Sequence, residues 1–100
     1  MLLHIVNRSP TERDAFASCL RHAQDGAAVL LIEDGVYAAL SGTTATPLLT
    51  DALARLTVYA LQPDVDARGL RDRIAPGIKL VDYDGFVELI TTHSASQSWL

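Results

Sequence analysis

The apolar segment AVLLI, at residues 28–32, places the strongest constraint on the fold. It has no polar alternation, which is typical of a central strand in a parallel sheet that helices cover on both faces. Three comparable runs are each followed by a polar turn and a helical stretch: LLHIV (2–6), TVYAL (57–61) and IKLVDY (78–83). This alternation predicts that residues 1–100 form one α/β domain, a three-layer α/β/α sandwich with a mainly parallel sheet and right-handed crossovers.

End signals mark the helical stretches between these runs. In the first stretch, Ser9, Pro10 and Glu12 predict a capping box at the helix start, and Gly26 predicts the helix end. Further helices are predicted in GVYAAL (35–40), PLLTDALARL (47–56), QPDVDARGL (62–70) and DGFVELITTH (84–93). The last of these is predicted to be amphipathic, with one side formed by Phe86, Leu89, Ile90 and His93.

The composition predicts contact with other chains and argues against nucleic acid. Hydrophobic residues make up 49% of the chain and charged residues only 20%, and a domain of this size has little interior in which to bury so much apolar surface. The net charge is −4, and the eight Lys and Arg residues are scattered apart from Arg68, Arg71 and Arg73. Because a phosphate backbone is bound by a net basic surface, direct nucleic-acid binding is not expected.

Cysteine usage and hydropathy indicate a cytoplasmic protein. Cys19 is the single cysteine, so no internal disulfide is expected. The opening residues, MLLHIVNRSP, lack the basic leader and long apolar region of a signal peptide. No apolar stretch approaches the roughly 20 residues that span a bilayer, so no membrane contact is expected.

Acidic residues follow three of the predicted strands: Glu33 with Asp34, Asp64, and Asp82 with Asp84. Ligands of open α/β sheets bind beyond the carboxyl ends of the strands, so these acids stand where a site could form. Acidic residues are also common helix N-caps, because the helix dipole favours them there. No lysine, histidine or second motif converges on them in sequence, so the pattern predicts capping or interface roles rather than catalysis.

Cys19 is the candidate reactive residue. It shares an apolar helical stripe with Phe16 and Leu20, which favours a packing role. His22 lies three residues further on and could stabilise a thiolate if it were protonated. Cys19 and His22 supply only two of the three or four ligands that a metal site needs, so no metal is predicted.

Two further segments carry side chains of interest. The loop SGTTATP (41–47) is rich in hydroxyl groups but has no phosphate-binding glycine motif, so no cofactor is predicted. Trp99, in the segment SQSWL, could anchor against its own domain or against a partner.

Five segments, in this order, resemble the DsrH/TusB family of sulfur-relay subunits: LHIVNRSP (3–10), LLIEDGVYAAL (30–40), ARGL (67–70), KLVDYDGFVEL (79–89) and QSWL (97–100). The resemblance implies a three-layer α/β fold and a heterohexamer with DsrE/TusD-like and DsrF/TusC-like subunits. In such complexes sulfur travels as a cysteine persulfide to a small DsrC/TusE-type acceptor. The sulfur serves 2-thiolation of the tRNA wobble uridine in the Tus branch and oxidation of stored sulfur in the Dsr branch.

The resemblance also implies roles for individual residues. The principal relay cysteine is expected on the DsrE/TusD-like subunit, which makes this chain an accessory subunit. Cys19, in FASCLRHA (16–23), matches a cysteine of the Dsr-type members, so the chain is expected to be closer to those. Cys19 is then either an auxiliary persulfide carrier or a packing residue, while Glu33, Asp34 and Tyr37 are expected to form the fold or an interface.

Three hypotheses follow from this reading. The leading one is an accessory subunit of a cytoplasmic persulfide relay. The alternative is a stand-alone sulfurtransferase in which His22 activates Cys19 as the nucleophile. A third is a nucleotide-binding module that uses the SGTTATP loop and the strand ends.

Overall fold

The computed structural model describes residues 2–11 and 14–99. These residues form a sheet of five strands: β1 (Leu2–Val6), β2 (Ala28–Leu31), β3 (Thr57–Leu61), β4 (Lys79–Val81) and β5 (Ala95–Trp99). The strand order is β4-β3-β2-β1-β5, and every neighbouring pair is parallel. The α/β class and the four predicted strands are confirmed, and β5 is an additional strand that the apolar pattern does not predict.

The helical segments alternate with the strands as predicted. They are α1 (Ala15–His22), a 3-10 helix (Glu33–Ala39), α2 (Thr46–Arg55), α3 (Gln62–Ala67), a 3-10 turn (Arg71–Arg73) and α4 (Tyr83–Thr92). The helix predicted in GVYAAL therefore begins two residues earlier than expected and has 3-10 geometry.

The start predicted for α1 is wrong. The helix begins at Ala15, and the Ser9 hydroxyl instead makes a local turn, in which it accepts a hydrogen bond from the Thr11 N–H at 3.3 Å and lies 2.9 Å from the Thr11 hydroxyl. Glu12, the third member of the predicted capping box, lies outside the described residues. Serine side chains commonly hold such turns in competition with helix capping.

The end predicted for α1 is also wrong, because a distant residue satisfies its last carbonyls. The helix ends at His22, whereas Gly26 lies in the next turn with φ of 87°. The Arg55 guanidinium, at the end of α2, donates hydrogen bonds to the carbonyl oxygens of Leu20 and Ala23, the second at 2.9 Å. A tertiary contact of this kind stabilises a helix end without a glycine cap.

The order of the strands determines which face of the sheet each helix covers. The chain moves in one direction from β1 to β4 and then returns across the sheet to β5. Right-handed crossovers therefore place α1, α2 and α3 on one face and α4 on the other. The two hydrophobic clusters agree with this: the larger contains Phe16, Leu49 and Val65 from the first three helices, and the smaller has Phe86 and Leu89 of α4 packed against it. The three-layer sandwich is confirmed.

The face beneath α4 is only partly covered. Leu3 and Leu30 are fully buried there, but their neighbours Ile5, Ile32 and Tyr59 are half-buried. In the part of the chain that the structure describes, α4 is the one helix over this face, so apolar surface remains beside it.

The predicted apolar side of α4 is divided in the structure. Phe86 and Leu89 pack on the sheet, whereas Ile90 points away from it and is 43% exposed. Ile90 instead shares the outer side of α4 with Tyr83 and Val87, both 58% exposed. Residues spaced by four and three positions lie on one side of a helix, so these three form a continuous apolar stripe. Within residues 2–11 and 14–99, every helix is too short or too polar to cross a membrane.

Candidate functional site

The acidic residues beyond β2 and β3 take part in hydrogen bonds that join the segment after β2 to the segment after β3, rather than capping helices. The Asp34 carboxylate accepts two hydrogen bonds from the Arg68 guanidinium, at 3.0 and 3.1 Å, and the Glu33 N–H donates to the Asp64 carboxylate at 2.6 Å. Of the predicted capping and interface roles, capping does not occur at Glu33 and Asp34, since neither caps the 3-10 helix with its side chain. For Asp82 capping is confirmed, because its carboxylate accepts the Gly85 N–H at 2.8 Å.

The 3-10 helix lies directly against the end of β1. Any Cβ atom placed on Gly35 would lie 2.1 Å from the Val6 carbonyl oxygen, so only glycine fits there. Two residues earlier, Glu33 has a φ of 49°, a left-handed backbone conformation that is uncommon for residues other than glycine. The tight turn formed by these residues directs Tyr37, which is 37% exposed, toward the open space beyond the strand.

A cleft of about 420 Å³ opens at this end of the sheet. Its walls come from the turn after β1, the 3-10 helix, the loop before α2 and the 3-10 turn before β4. The structure places Asp34 and Tyr37 beside the hydroxyl-rich loop. Of the three sequence hypotheses, only the nucleotide-binding module joined this loop to the strand ends. The residues that line it are Ser9, Pro10, Thr11, Asp34, Tyr37, Leu40, Thr43, Thr44, Ala45 and Arg73.

Sequence reasoning missed Arg73 as a residue of this cleft. The clustering of Arg68, Arg71 and Arg73 is visible in the sequence, but their partners are not. Arg68 binds Asp34, and Arg71 binds Asp66 with a distance of 2.9 Å between Nε and Oδ1. Arg73 forms no ion pair with the described residues and lies at the cleft.

Cys19 lies apart from the cleft, in the core between α1 and the sheet. Its side chain is fully buried in the larger hydrophobic cluster. Burial raises the pKa of the Cys19 thiol to about 12, an effect that the nearby positive charge of Arg55 only partly offsets. In this conformation the residue is a thiol at neutral pH, and a thiol is a poor nucleophile.

His22 does not activate Cys19 in this structure. The His22 side chain is exposed, with Nδ1 at 2.8 Å from the Ser18 carbonyl oxygen, and its ring packs against Trp99 with centroids 5.4 Å apart. Among the described residues, no group of three or more His, Cys, Asp or Glu side chains is placed to hold a metal ion.

Trp99 anchors β5 to its own domain. The indole N–H donates a hydrogen bond to Nδ1 of His4 at 3.0 Å, so that nitrogen carries no proton. His4 is 2% exposed. Burial, together with the nearby His22, lowers the pKa of His4 below its ordinary value.

The buried state of His4 predicts how stability depends on pH. The pKa of His4 is lower in the folded chain than in the unfolded chain, so the unfolded chain binds more protons as the pH falls. The stabilising contribution is thus fully present above the ordinary value of 6.5 and is lost as the pH falls from that value through the lower pKa of the folded chain. We therefore expect the midpoint temperature of thermal unfolding to decrease when the pH is lowered from 8 to 5.5. Tryptophan fluorescence measures this midpoint. His4→Gln keeps a hydrogen-bond acceptor without titrating, and it should show a smaller fall; equal falls in both proteins would contradict the prediction.

Comparisons with known proteins agree with the fold and the resemblance in sequence. The family model described as DsrH like protein matches residues 8–96. Protein TusB of Escherichia coli O81 (strain ED1a) is 42% identical over 98 residues, which is 98% of this chain and 100% of that protein. Protein TusB of Serratia proteamaculans (strain 568) is 39% identical over 98 residues, which is again 98% of this chain and 100% of that protein.

Solved structures share the fold at lower identity. The ychN protein from E. coli superimposes with a TM-score of 0.80 at 15% identity, covering 98% of this chain and 97% of that one. The protein of unknown function MTH1491 from Methanobacterium thermoautotrophicum gives a TM-score of 0.75 at 15% identity, covering 97% and 96%. At such identities the likeness concerns the fold alone.

Proposed function

We propose that this chain, which belongs to the DsrH/TusB family, is an accessory subunit of a sulfur-relay complex and does not itself carry the sulfur. The observation that carries the proposal is the burial of Cys19, its single cysteine. A persulfide relay requires a thiolate that a donor and an acceptor can both reach. With its pKa at about 12 and no exposed surface, Cys19 meets neither requirement and acts as a packing residue.

The principal relay cysteine is then on the DsrE/TusD-like subunit, and the DsrF/TusC-like chain is the other partner. A surface for such partners is available on α4, whose outer side exposes Tyr83, Val87 and Ile90 above a partly covered sheet face. Asp84 and Glu88 flank this stripe, and α4 contains no basic residue. Apolar helix faces of this kind bind into grooves on partner chains, and acidic flanks favour a groove with basic edges.

The final acceptor in this proposal is a small DsrC/TusE-like protein. The resemblance to proteins named TusB favours 2-thiolation of the tRNA wobble uridine as the destination of the sulfur. The match of Cys19 to Dsr-type members favours oxidation of stored sulfur. The net charge of −4 supports delivery to RNA through the acceptor rather than by this chain.

Native mass spectrometry after co-expression with the two neighbouring subunits tests the proposal. We expect a heterohexamer with two copies of each subunit, in which added sulfur is found on a partner cysteine and Cys19 remains unmodified. A chain that stays monomeric beside both partners would refute the subunit role. Sulfur uptake by Cys19 in the isolated chain would instead support the stand-alone sulfurtransferase.

Substitution on α4 tests which surface the partners bind. Val87→Asp places a charge in the middle of the apolar stripe. It should weaken the affinity for the partner subunits by about 30-fold, the effect of losing an interface hot spot, and so reduce co-purification. Circular dichroism should remain unchanged, because Val87 is 58% exposed. Leu48→Asp is the matched control, since Leu48 is 39% exposed on α2, which covers the opposite face. Unchanged co-purification of Val87→Asp, or an equal loss in Leu48→Asp, would rule out α4 as the interface.

A further inference from the structure

We propose that the cleft beyond β1 binds a small phosphorylated molecule, a role separate from subunit assembly and sulfur transfer. Its volume of about 420 Å³ is within the range of small-molecule sites. It also lies beyond the carboxyl end of a parallel strand, where ligands of α/β sheets bind.

The charges in the cleft favour an anion. Asp34 is the single carboxylate among its described lining residues, and two hydrogen bonds from Arg68 already neutralise it. Arg73 has no carboxylate partner among the described residues. The lining of the cleft therefore includes an arginine without a carboxylate partner among the described residues, and a guanidinium is the group best suited to bind phosphate through paired hydrogen bonds.

The hydroxyl groups of the cleft add further donors. Thr44 and Tyr37 have side-chain hydroxyls with no hydrogen-bond partner among the described residues, although both line the cleft. The Thr43 hydroxyl oxygen accepts the N–H of Ala45 at 3.2 Å, which leaves its own hydrogen available to donate. Each of these hydroxyls can donate to a ligand rich in acceptor oxygens.

Backbone contacts hold these donors in place. The Ser41 N–H donates to the Arg73 carbonyl oxygen at 2.9 Å, and the Ala75 N–H donates to the Ala39 carbonyl oxygen at 2.8 Å. On the other wall, the Thr43 N–H donates to the Thr46 hydroxyl at 2.9 Å. The two segments therefore form a braced frame around the cleft, which reduces the ordering cost of binding.

The remaining walls indicate what the phosphate is attached to. Pro10, Leu40, Ala45 and the ring of Tyr37 give the cleft an apolar side next to its donors. A small molecule that carries both a phosphate and a planar or apolar group satisfies both sides, as in a mononucleotide, whose base and phosphate are joined through the ribose. A long polynucleotide does not fit the net charge of −4.

Titration of the full-length, ¹⁵N-labelled chain with AMP tests the inference, with the amide shifts of Tyr37, Thr43 and Thr44 as the readout. We expect AMP to shift these amides at millimolar concentrations, and adenosine to bind at least about tenfold more weakly because it lacks the charge that Arg73 pairs with. No shift with AMP, or equal binding of adenosine, would overturn the proposal.

A pair of arginine variants distinguishes a specific AMP-binding site from a general attraction of AMP to positive charge. Arg73→Gln should weaken AMP binding at least about tenfold. Arg71→Gln removes the same charge from the same 3-10 turn, but Arg71 is paired with Asp66 outside the cleft, so binding should be retained. Equal weakening by the two variants would contradict a specific site. Co-purification with the partner subunits is measured separately, so failure here leaves the subunit role untouched.

Discussion

Gly35→Ala is expected to destabilise the chain by about 3 kcal/mol or more, at the upper end of the cost of overpacking. The added Cβ would lie 2.1 Å from the Val6 carbonyl oxygen and 2.9 Å from the carbon of the same group. Both are backbone atoms of a central strand, so relief requires the 3-10 helix to move away from β1. Urea denaturation followed by circular dichroism measures the loss, which is a large share of the roughly 5–15 kcal/mol that holds a small domain folded.

Gly42→Ala is the matched control for Gly35→Ala. Gly42 has a φ of 72°, so alanine is strained there, but no atom lies within 4 Å of the added Cβ. The expected cost is about 1–2 kcal/mol, the strain of a left-handed residue alone. If Gly35→Ala cost no more than Gly42→Ala, the close packing of the 3-10 helix on β1 would be wrong. The same packing contact shapes the cleft and stabilises the fold. A Gly35→Ala variant that lost the cleft but kept its stability would therefore also contradict this packing.

The central sheet could be predicted because its signals are local. Continuous apolar runs mark β2 and its neighbours, and the polar turns between them mark the alternation with helices. The segment ASQSW of β5 has no such signal, and its first four residues are exposed. It is a strand because it pairs with β1 and because Trp99 binds His4, which lies 95 residues away in sequence. Long-range contacts override local pattern in this way.

The cleft illustrates the same limit at the level of a site. Asp82 could be predicted as a cap because capping joins residues three positions apart. The partner of Asp34 lies 34 residues away, and the cleft draws its walls from four separate segments. Gly35 gives a sequence signal, a glycine after two acids, but its physical reason is the approach of the Val6 carbonyl from another strand. A site of this kind can be identified only once the fold is known.

Cys19 is expected to react with iodoacetamide at pH 8 about 1,000-fold more slowly than a free thiol. The reactive species is the thiolate, and a pKa of about 12 leaves only a minute fraction of it at that pH. Burial beside Phe16 and Leu20 slows access further. Mass spectrometry of the alkylated chain measures the rate, and unfolding in urea should restore the reactivity of a free thiol. Fast alkylation of the folded chain would contradict the packing role.

The same burial predicts that sulfur transfer does not depend on the Cys19 side chain. Cys19→Ala removes one sulfur atom from the core and should lower stability by only about 1–2 kcal/mol, at the lower end of core truncations. Transfer from the assembled complex to its acceptor should then stay within about twofold of the wild type, once the amount of folded complex is matched, because no step of transfer uses a thiol with so little thiolate. Removal of the partner's relay cysteine should abolish transfer and serves as the positive control. A folded, assembled Cys19→Ala complex that loses transfer would establish the opposite, that the core opens during the relay and Cys19 carries sulfur.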